Sequence, residues 1–193
     1  MTYTLIGSQT SPFVRRIRML LEGKEFTLKE FNIFETADSI ELNNINPLNQ
    51  VPVLIDGERK IIDSRVIFHY LNMIHRFENF DWEDENTLSI IDGGMNSGVN
   101  LLLMKRSGMP IHEPLMFVNR QKERVESVLD TMTPFASTKG LTTWNFHSMS
   151  LYCFLDWGVF RGLFSIDNRP ELQNFLSTHK DRDCVVKTQI PKL

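Results

Sequence analysis

Three places in this 193-residue chain combine residue types and spacing that could do chemistry. At the first, Thr10 and Ser11 stand just ahead of Pro12 and of a run with apolar residues at helical spacing, Phe13, Val14, Ile17, Leu20 and Leu21. Proline lacks an N–H and suits the first turn of a helix, and a hydroxyl placed there adds a donor to the positive end of the helix dipole. That pairing favours a bound anion. At the second place, Val51-Pro52 leads into Val53-Leu54-Ile55, with the proline confined to the start of a strand. At the third, Asp63 and Ser64 precede Val66, Ile67, Tyr70, Leu71 and Ile74 on one helical face. Both are good helix caps, worth about 1 kcal/mol in any protein, and the N–H groups behind them can receive an anion.

The elements that must position these residues follow from periodicity. Thr2 to Ile6 and Phe26 to Ile33 are rich in aromatic and β-branched residues, with the helical run of Phe13 to Leu21 between them, which predicts strand, helix, strand. A second helix is expected over Thr36 to Leu42, then a loop from Asn43 to Gln50 and a strand after Pro52. Asp56-Gly57 signals a tight hairpin into a strand from Arg59 to Ile62, and a helix follows Asp63-Ser64. The order is βαβ-α-ββα. From about residue 84 onward the spacing is helical. Asp81 to Glu85 suits both a linker and a helix start. Beyond it lie a helix from Leu88 to Lys105 containing Gly93, Gly94 and Gly98, an amphipathic segment from Pro114 to about Met132, an apolar helix from Phe146 to about Arg161, and a short one after Pro170. Two domains are expected, over 1–78 and 84–193.

Composition narrows the functions. With 41% apolar and 23% charged residues and a net charge of −3, the chain can bury a core and offers no electrostatic reason to expect nucleic acid or an anionic membrane as partner. No apolar run approaches the length of a membrane span, and Met1 to Ile6 lacks the basic start of a signal peptide. A cytoplasmic protein is expected. Cys153 and Cys184 form no C-x-x-C pair, so neither a disulfide framework nor a zinc site is indicated, and Cys153 reads as a small core residue. His69, His75, His112, His147 and His179 show no metal-ligand spacing, so no metal is expected. Arg15, Arg16 and Arg18 read as charges on the solvated face of an amphipathic helix.

Ser11-Pro12-Phe13, the segment from Asn46 to Leu54 and Asp63-Ser64, in this order and spacing, resemble the glutathione-binding half of the cytosolic glutathione S-transferases. The bacterial members opening with Ser-Pro-Phe-Val-Arg are the nearest in pattern. Trp144 to Arg161 resembles that family's buried sixth helix, and Arg169 to Leu172 the start of its last helix. The resemblance implies an α/β thioredoxin-like domain with a mixed four-stranded sheet, followed by an all-helical domain. It implies an enzyme that binds glutathione as co-substrate and activates its thiol towards a small hydrophobic electrophile, by conjugation or peroxide reduction. It also implies a homodimer built from the Ser64 to Phe77 helix of one subunit and the Leu88 to Lys105 helix of the other, with the three glycines permitting close approach.

The family pattern assigns roles to residues of this chain. A cis bond before Pro52 would turn the backbone N–H and C=O of Val51 towards the cysteinyl residue like an added strand. Ser64, by N–H and hydroxyl, would hold the γ-glutamyl carboxylate while Asp63 faces its ammonium group. Gln50 would contact the glycyl carboxylate, and Phe13 would line the site. Ser11 matches the catalytic cysteine of the omega-like relatives, and the serine of the theta-like and delta-like relatives falls at Thr10. Ser11 is preferred as thiol activator, with Thr10 as the other candidate. Serine at position 11 leaves mixed-disulfide exchange without its attacking group. Where relatives carry an aspartate at the start of the sixth helix, Ser148 stands, so Asn145 caps without the reciprocal carboxylate. The competing reading is an interaction module without activity, which would not need Val51-Pro52 together with Asp63-Ser64.

Overall fold

The computed structural model describes residues 2–111 and 115–191. The expected helix start at Pro114, and His112, lie outside them. The chain divides into two compact units, one formed by Met1–Asn79 with Arg182–Leu193 and one by Phe80–Asp181.

The first unit begins with β1 (Tyr3–Gly7), α1 (Pro12–Leu20) and β2 (Phe26–Glu30), and continues with α2 (Thr36–Ile45), β3 (Val53–Asp56), β4 (Arg59–Ile62) and α3 (Ser64–His75). The strands form one mixed sheet in the order β2-β1-β3-β4. β1 runs parallel to β2 and antiparallel to β3, and β4 is antiparallel to β3. This is the expected βαβ-α-ββα order. Side chains alternate across a strand, so Ile6 and Val53 pack with Phe31 and with Leu42 of α2, whereas Gly7 faces α1. A Cβ at Gly7 would overlap Val14 of α1, so glycine there lets α1 lie close against β1. Tyr3 Oη and His75 Nε2, 2.8 Å apart, join β1 to the last turn of α3.

Near the C-terminus a short helix, here α9 (Asp183–Lys187), packs on α1 within the first unit. It was not expected from the sequence.

The second unit is helical: α4 (Trp82–Arg106), α5 (Met116–Ser137), the short α6 (Lys139–Thr142), α7 (Phe146–Phe160) and α8 (Pro170–His179). Asp81 caps α4 reciprocally with Asp84, so the acidic stretch starts a helix, as its placement near the positive dipole end favours. α7 is buried along nearly its whole length, including Cys153. Asn145 caps it by accepting from the Ser148 N–H at 3.0 Å, and the Ser148 hydroxyl donates to the Thr143 carbonyl at 2.6 Å. That bond ties the entering loop where a carboxylate was expected to be missed.

Two of the three glycines of α4 have a different role from the one expected. A Cβ at Gly94 would meet Val128 of α5 and Phe154 of α7 at 2.9 and 3.0 Å, and one at Gly98 would meet Trp157 at 2.9 Å. Both serve close packing inside this unit. Only Gly93, whose Cβ would find Arg124 at an ordinary 3.9 Å, leaves room.

Candidate functional site

Sheet register brings the three sequence motifs together. Ile6 of β1 pairs with Val53 of β3, and Val53 pairs with Ile62 of β4, so these residues form one row across three strands. Beyond that row β1 exits through Gly7 towards Ser11, the Val51-Pro52 segment enters β3, and β4 exits into Asp63-Ser64. Segments as distant in the chain as Ser11 and Ser64 therefore share one end of the sheet, because antiparallel strands place one strand's exit beside its neighbour's entry.

At the exit of β1, Ser11 is the N-cap of α1, with extended backbone and its Oγ accepting from the Val14 N–H at 3.4 Å. Thr10 lies one residue ahead, its hydroxyl oxygen 3.0 Å from that of Ser8. Both are partly exposed. Phe13 is half-buried beneath the Arg16 guanidinium, whose carbon lies 5.2 Å from the ring centre, a cation–π distance.

The loop into β3 is held by Asn46, which is buried. Its Oδ1 accepts from the Leu48 N–H at 3.0 Å and its Nδ2 donates to the Gln50 carbonyl at 2.8 Å. The first is an Asx turn, and the second fixes the backbone directly before Val51. The Val51-Pro52 bond is cis. Pro52 is buried, Val51 half-buried and the Gln50 side chain exposed.

At the exit of β4, Asp63 caps α3 through Oδ1, which accepts from the N–H groups of Arg65 at 2.8 Å and Val66 at 3.2 Å. Its φ is 71° and its ψ 132°, a positive-φ conformation outside the left-handed helical region that few non-glycine residues adopt. Ser64 is 1% exposed, and its Oγ accepts from Arg16 twice, from Nε at 3.2 Å and from a terminal nitrogen at 2.7 Å.

The arginines of α1 correct the sequence reading. Arg15 and Arg16 are each 1% exposed rather than solvated. α1 is enclosed along most of its circumference, with Pro12, Val14, Ile17, Met19 and Leu20 buried as well, so one-sided amphipathicity did not apply. The guanidinium planes are accommodated because hydroxyls accept their N–H donors and Phe13 supplies an aromatic face. Arg16 and Asn46 were thus missed as site residues. Asn46-Pro47 ahead of Leu48 carried a turn signal that would have found the second, whereas nothing in the spacing pointed from Arg16 to Ser64.

The site can present hydroxyls and helix N–H groups to anions at α1 and α3, with a guanidinium behind one of them and a carboxylate at its rim. Among the described residues, no three His, Cys, Asp or Glu side chains gather as metal ligands, and no helix is long and apolar enough to cross a membrane.

Comparison with known proteins agrees with this geometry. Residues 5–79 match the family described as the N-terminal domain of glutathione S-transferase. An uncharacterised GST-like protein of Escherichia coli K12, YibF, is 27% identical, the alignment covering 97% of this chain and 98% of that protein. A glutathione transferase family member from Pseudomonas fluorescens Pf-5, solved with bound glutathione, superposes with a TM-score of 0.87 at 23% identity, over 98% of this chain and 100% of that one. A glutathione S-transferase from Methylobacterium radiotolerans, in complex with glutathione sulfonate, gives 0.85 at 17% identity, over 100% and 96%. The chain thus has the fold of the glutathione transferases, a thioredoxin-like unit and a helical one, and its residues 5–79 match that family's N-terminal domain.

Proposed function

We propose that this protein is a glutathione S-transferase that binds glutathione at the shared end of the first unit's sheet and activates its thiol for attack on a small hydrophobic electrophile. The observation that carries the reading is the Ile6, Val53, Ile62 row, which brings a hydroxyl-capped helix start, the Val51 backbone and a second helix N-terminus to one place. The bound glutathione in the Pseudomonas protein supports it.

Each part of an acidic tripeptide has a partner in this reading. The Ser64 N–H, one of the first-turn donors without an intrahelical acceptor, takes the γ-glutamyl carboxylate together with the Ser64 hydroxyl. Arg16 holds that hydroxyl by its oxygen, leaving the hydrogen to donate. Asp63 uses one carboxylate oxygen for the cap and directs the other to the ammonium group. Val51 pairs by its backbone with the cysteinyl residue, Gln50 reaches the glycyl carboxylate, and Phe13 and Pro52 provide apolar walls. Ser11 accepts from Val14 and so keeps its O–H for the sulfur, whereas the Thr10 hydroxyl is shared with Ser8. That difference favours Ser11. The proton leaves the thiol for solvent, the thiolate attacks the electrophilic carbon, and the leaving group departs with the bond electrons; with a peroxide the sulfur attacks oxygen instead.

The reading includes the bacterial subgroup with Ser-Pro-Phe-Val-Arg, a cytoplasmic location, glutathione as co-substrate, and neither a metal nor an organic prosthetic group. It includes a homodimer between α3 of one subunit and α4 of the other, the outer face of α3 with β4 forming a shallow groove lined by Ile62, Val66, Tyr70 and Met73, with Val66 and Met73 exposed by 53% and 72%. Calorimetric titration with reduced glutathione, followed by conjugation with an activated aryl halide, tests the reading. Saturable binding with turnover is expected. Binding without turnover on aryl halides or peroxides would favour the interaction module, and absence of binding would overturn the proposal.

A further inference from the structure

The first turn of α1, which carries Ser11, is anchored to the C-terminal segment within the same unit. The Arg15 N–H donates to the Ser11 carbonyl at 3.0 Å, so Arg15 sits one turn behind the cap. Its buried side chain donates from Nε to the Thr188 Oγ1 at 3.5 Å, and that hydroxyl in turn donates to the Cys184 carbonyl at 2.6 Å. One turn further along α1, Arg18 donates to the Lys187 carbonyl at 3.1 Å. Cys184 and Val185 of α9 are buried and Thr188 is 5% exposed, so the segment is seated rather than loosely apposed. A guanidinium enclosed to this degree is costly to displace without its acceptors, and the acceptors come from residues far beyond the sheet in sequence. Lys187 and Thr188 lie at the C-terminal end of α9, where carbonyls lack intrahelical donors and favour a cation. This applies to the carbonyl that Arg18 meets, whereas Arg15 meets a hydroxyl.

We infer that α9 and Thr188 position the start of α1, and through it the hydroxyl of Ser11, by holding Arg15 and Arg18. Thr188 and Arg15 are positioning residues, and they touch no substrate. The inference rests on the proposed thiol-activating role of Ser11, so its test includes a reading independent of glutathione.

Thr188→Val keeps the shape of the side chain and removes the hydroxyl. Amide hydrogen exchange in the first turn of α1, Val14 to Ile17, is expected to speed up by about ten-fold relative to the amides of α3, as loss of a hydrogen bond to a local opening unit produces. With glutathione bound, the titration of its thiolate absorbance should move to higher pH and kcat for an aryl halide should fall several-fold, with KM for glutathione nearly unchanged. Thr188→Ser should restore all three. Equal exchange in α1 and α3, or a lowered Tm with an unmoved thiolate titration, would overturn the inference and leave α9 a purely structural helix. Should the wild-type protein fail to bind glutathione, the functional reading falls, and the exchange data still decide whether α9 holds the start of α1.

Discussion

Ser11 and Thr10 are neighbours with different hydrogen bonds, and that difference makes a prediction. Ser11→Ala should lower kcat/KM for conjugation by about ten-fold to a hundred-fold, the worth of one hydroxyl bond to a thiolate at about 1.5 to 3 kcal/mol. Thr10→Ala should do less, because its hydroxyl is already shared with Ser8. The reverse order, measured with the same electrophile, would move the activating role to Thr10. Asp63 offers a second prediction in which the cap and the ligand contact can be separated. Asp63→Asn retains an acceptor for Arg65 and Val66 and nearly the same shape, so thermal stability should change little while glutathione affinity falls by about 1 to 3 kcal/mol. Asp63→Ala should lose affinity and also about 1 kcal/mol of stability from the cap. Unchanged titration in the asparagine variant would remove Asp63 from the site. Residue identity made Ser11, Pro52, Asp63 and Ser64 legible in the sequence, because capping and proline chemistry are local. Arg16 was not legible, since its partner Ser64 is reached only after the sheet has folded.

Elements were legible to the extent that their signals were local. The strand from Arg59 to Ile62 and the hairpin at Asp56-Gly57 stood where expected, because a turn dipeptide fixes both. β1 shifted by one residue and β3, starting after Pro52 as expected, runs on to Asp56, and the expected strand Phe26 to Ile33 ends at Glu30, where pairing with β1 stops at Gly7. α9 escaped notice because a five-residue helix has no periodicity to read and depends on α1 for its burial. The bond between Tyr3 and His75 shows what an element junction contributes. Burial, with the nearby Lys24 cation and against the pull of Asp56, lowers the His75 pKa from 6.5, so the folded state prefers neutral imidazole. As pH falls through about 6.5 the unfolded chain takes up a proton first, and stability present above that pH is lost towards the lowered folded value. Thermal melts should therefore show Tm declining as pH drops below about 6.5, with the decline reduced in His75→Gln. An identical pH dependence in that variant would contradict the assignment.

At the scale of the molecule, the two units show how far one likeness reaches. The family match covers residues 5–79, the unit where every proposed contact to glutathione lies, while the helical unit is related to known proteins through the alignment with YibF and through fold. Its sequence anticipated helices well, since α7 is apolar on all sides, but not the use of its glycines: spacing showed Gly94 and Gly98 without showing that Val128, Phe154 and Trp157 would press against them. The proposed dimer would place the exposed face of α3 and β4 against the outer face of α4 of the other subunit, where Ile90 and Leu103 are exposed. Light scattering at micromolar concentration should give twice the 22.5 kDa chain mass, and Met73→Glu, which places a charge in that apolar groove, should shift the species towards the monomer. A monomer in the wild type would remove the dimer.

The central claim is that one end of the first unit's sheet binds glutathione and makes its sulfur a thiolate. The ultraviolet absorbance of thiolate, followed against pH for glutathione at saturating protein and corrected for each component alone, tests binding and activation together. The account predicts a titration displaced by one to two units below the free thiol's pKa of about 8.5. A curve that coincides with that of free glutathione would contradict it.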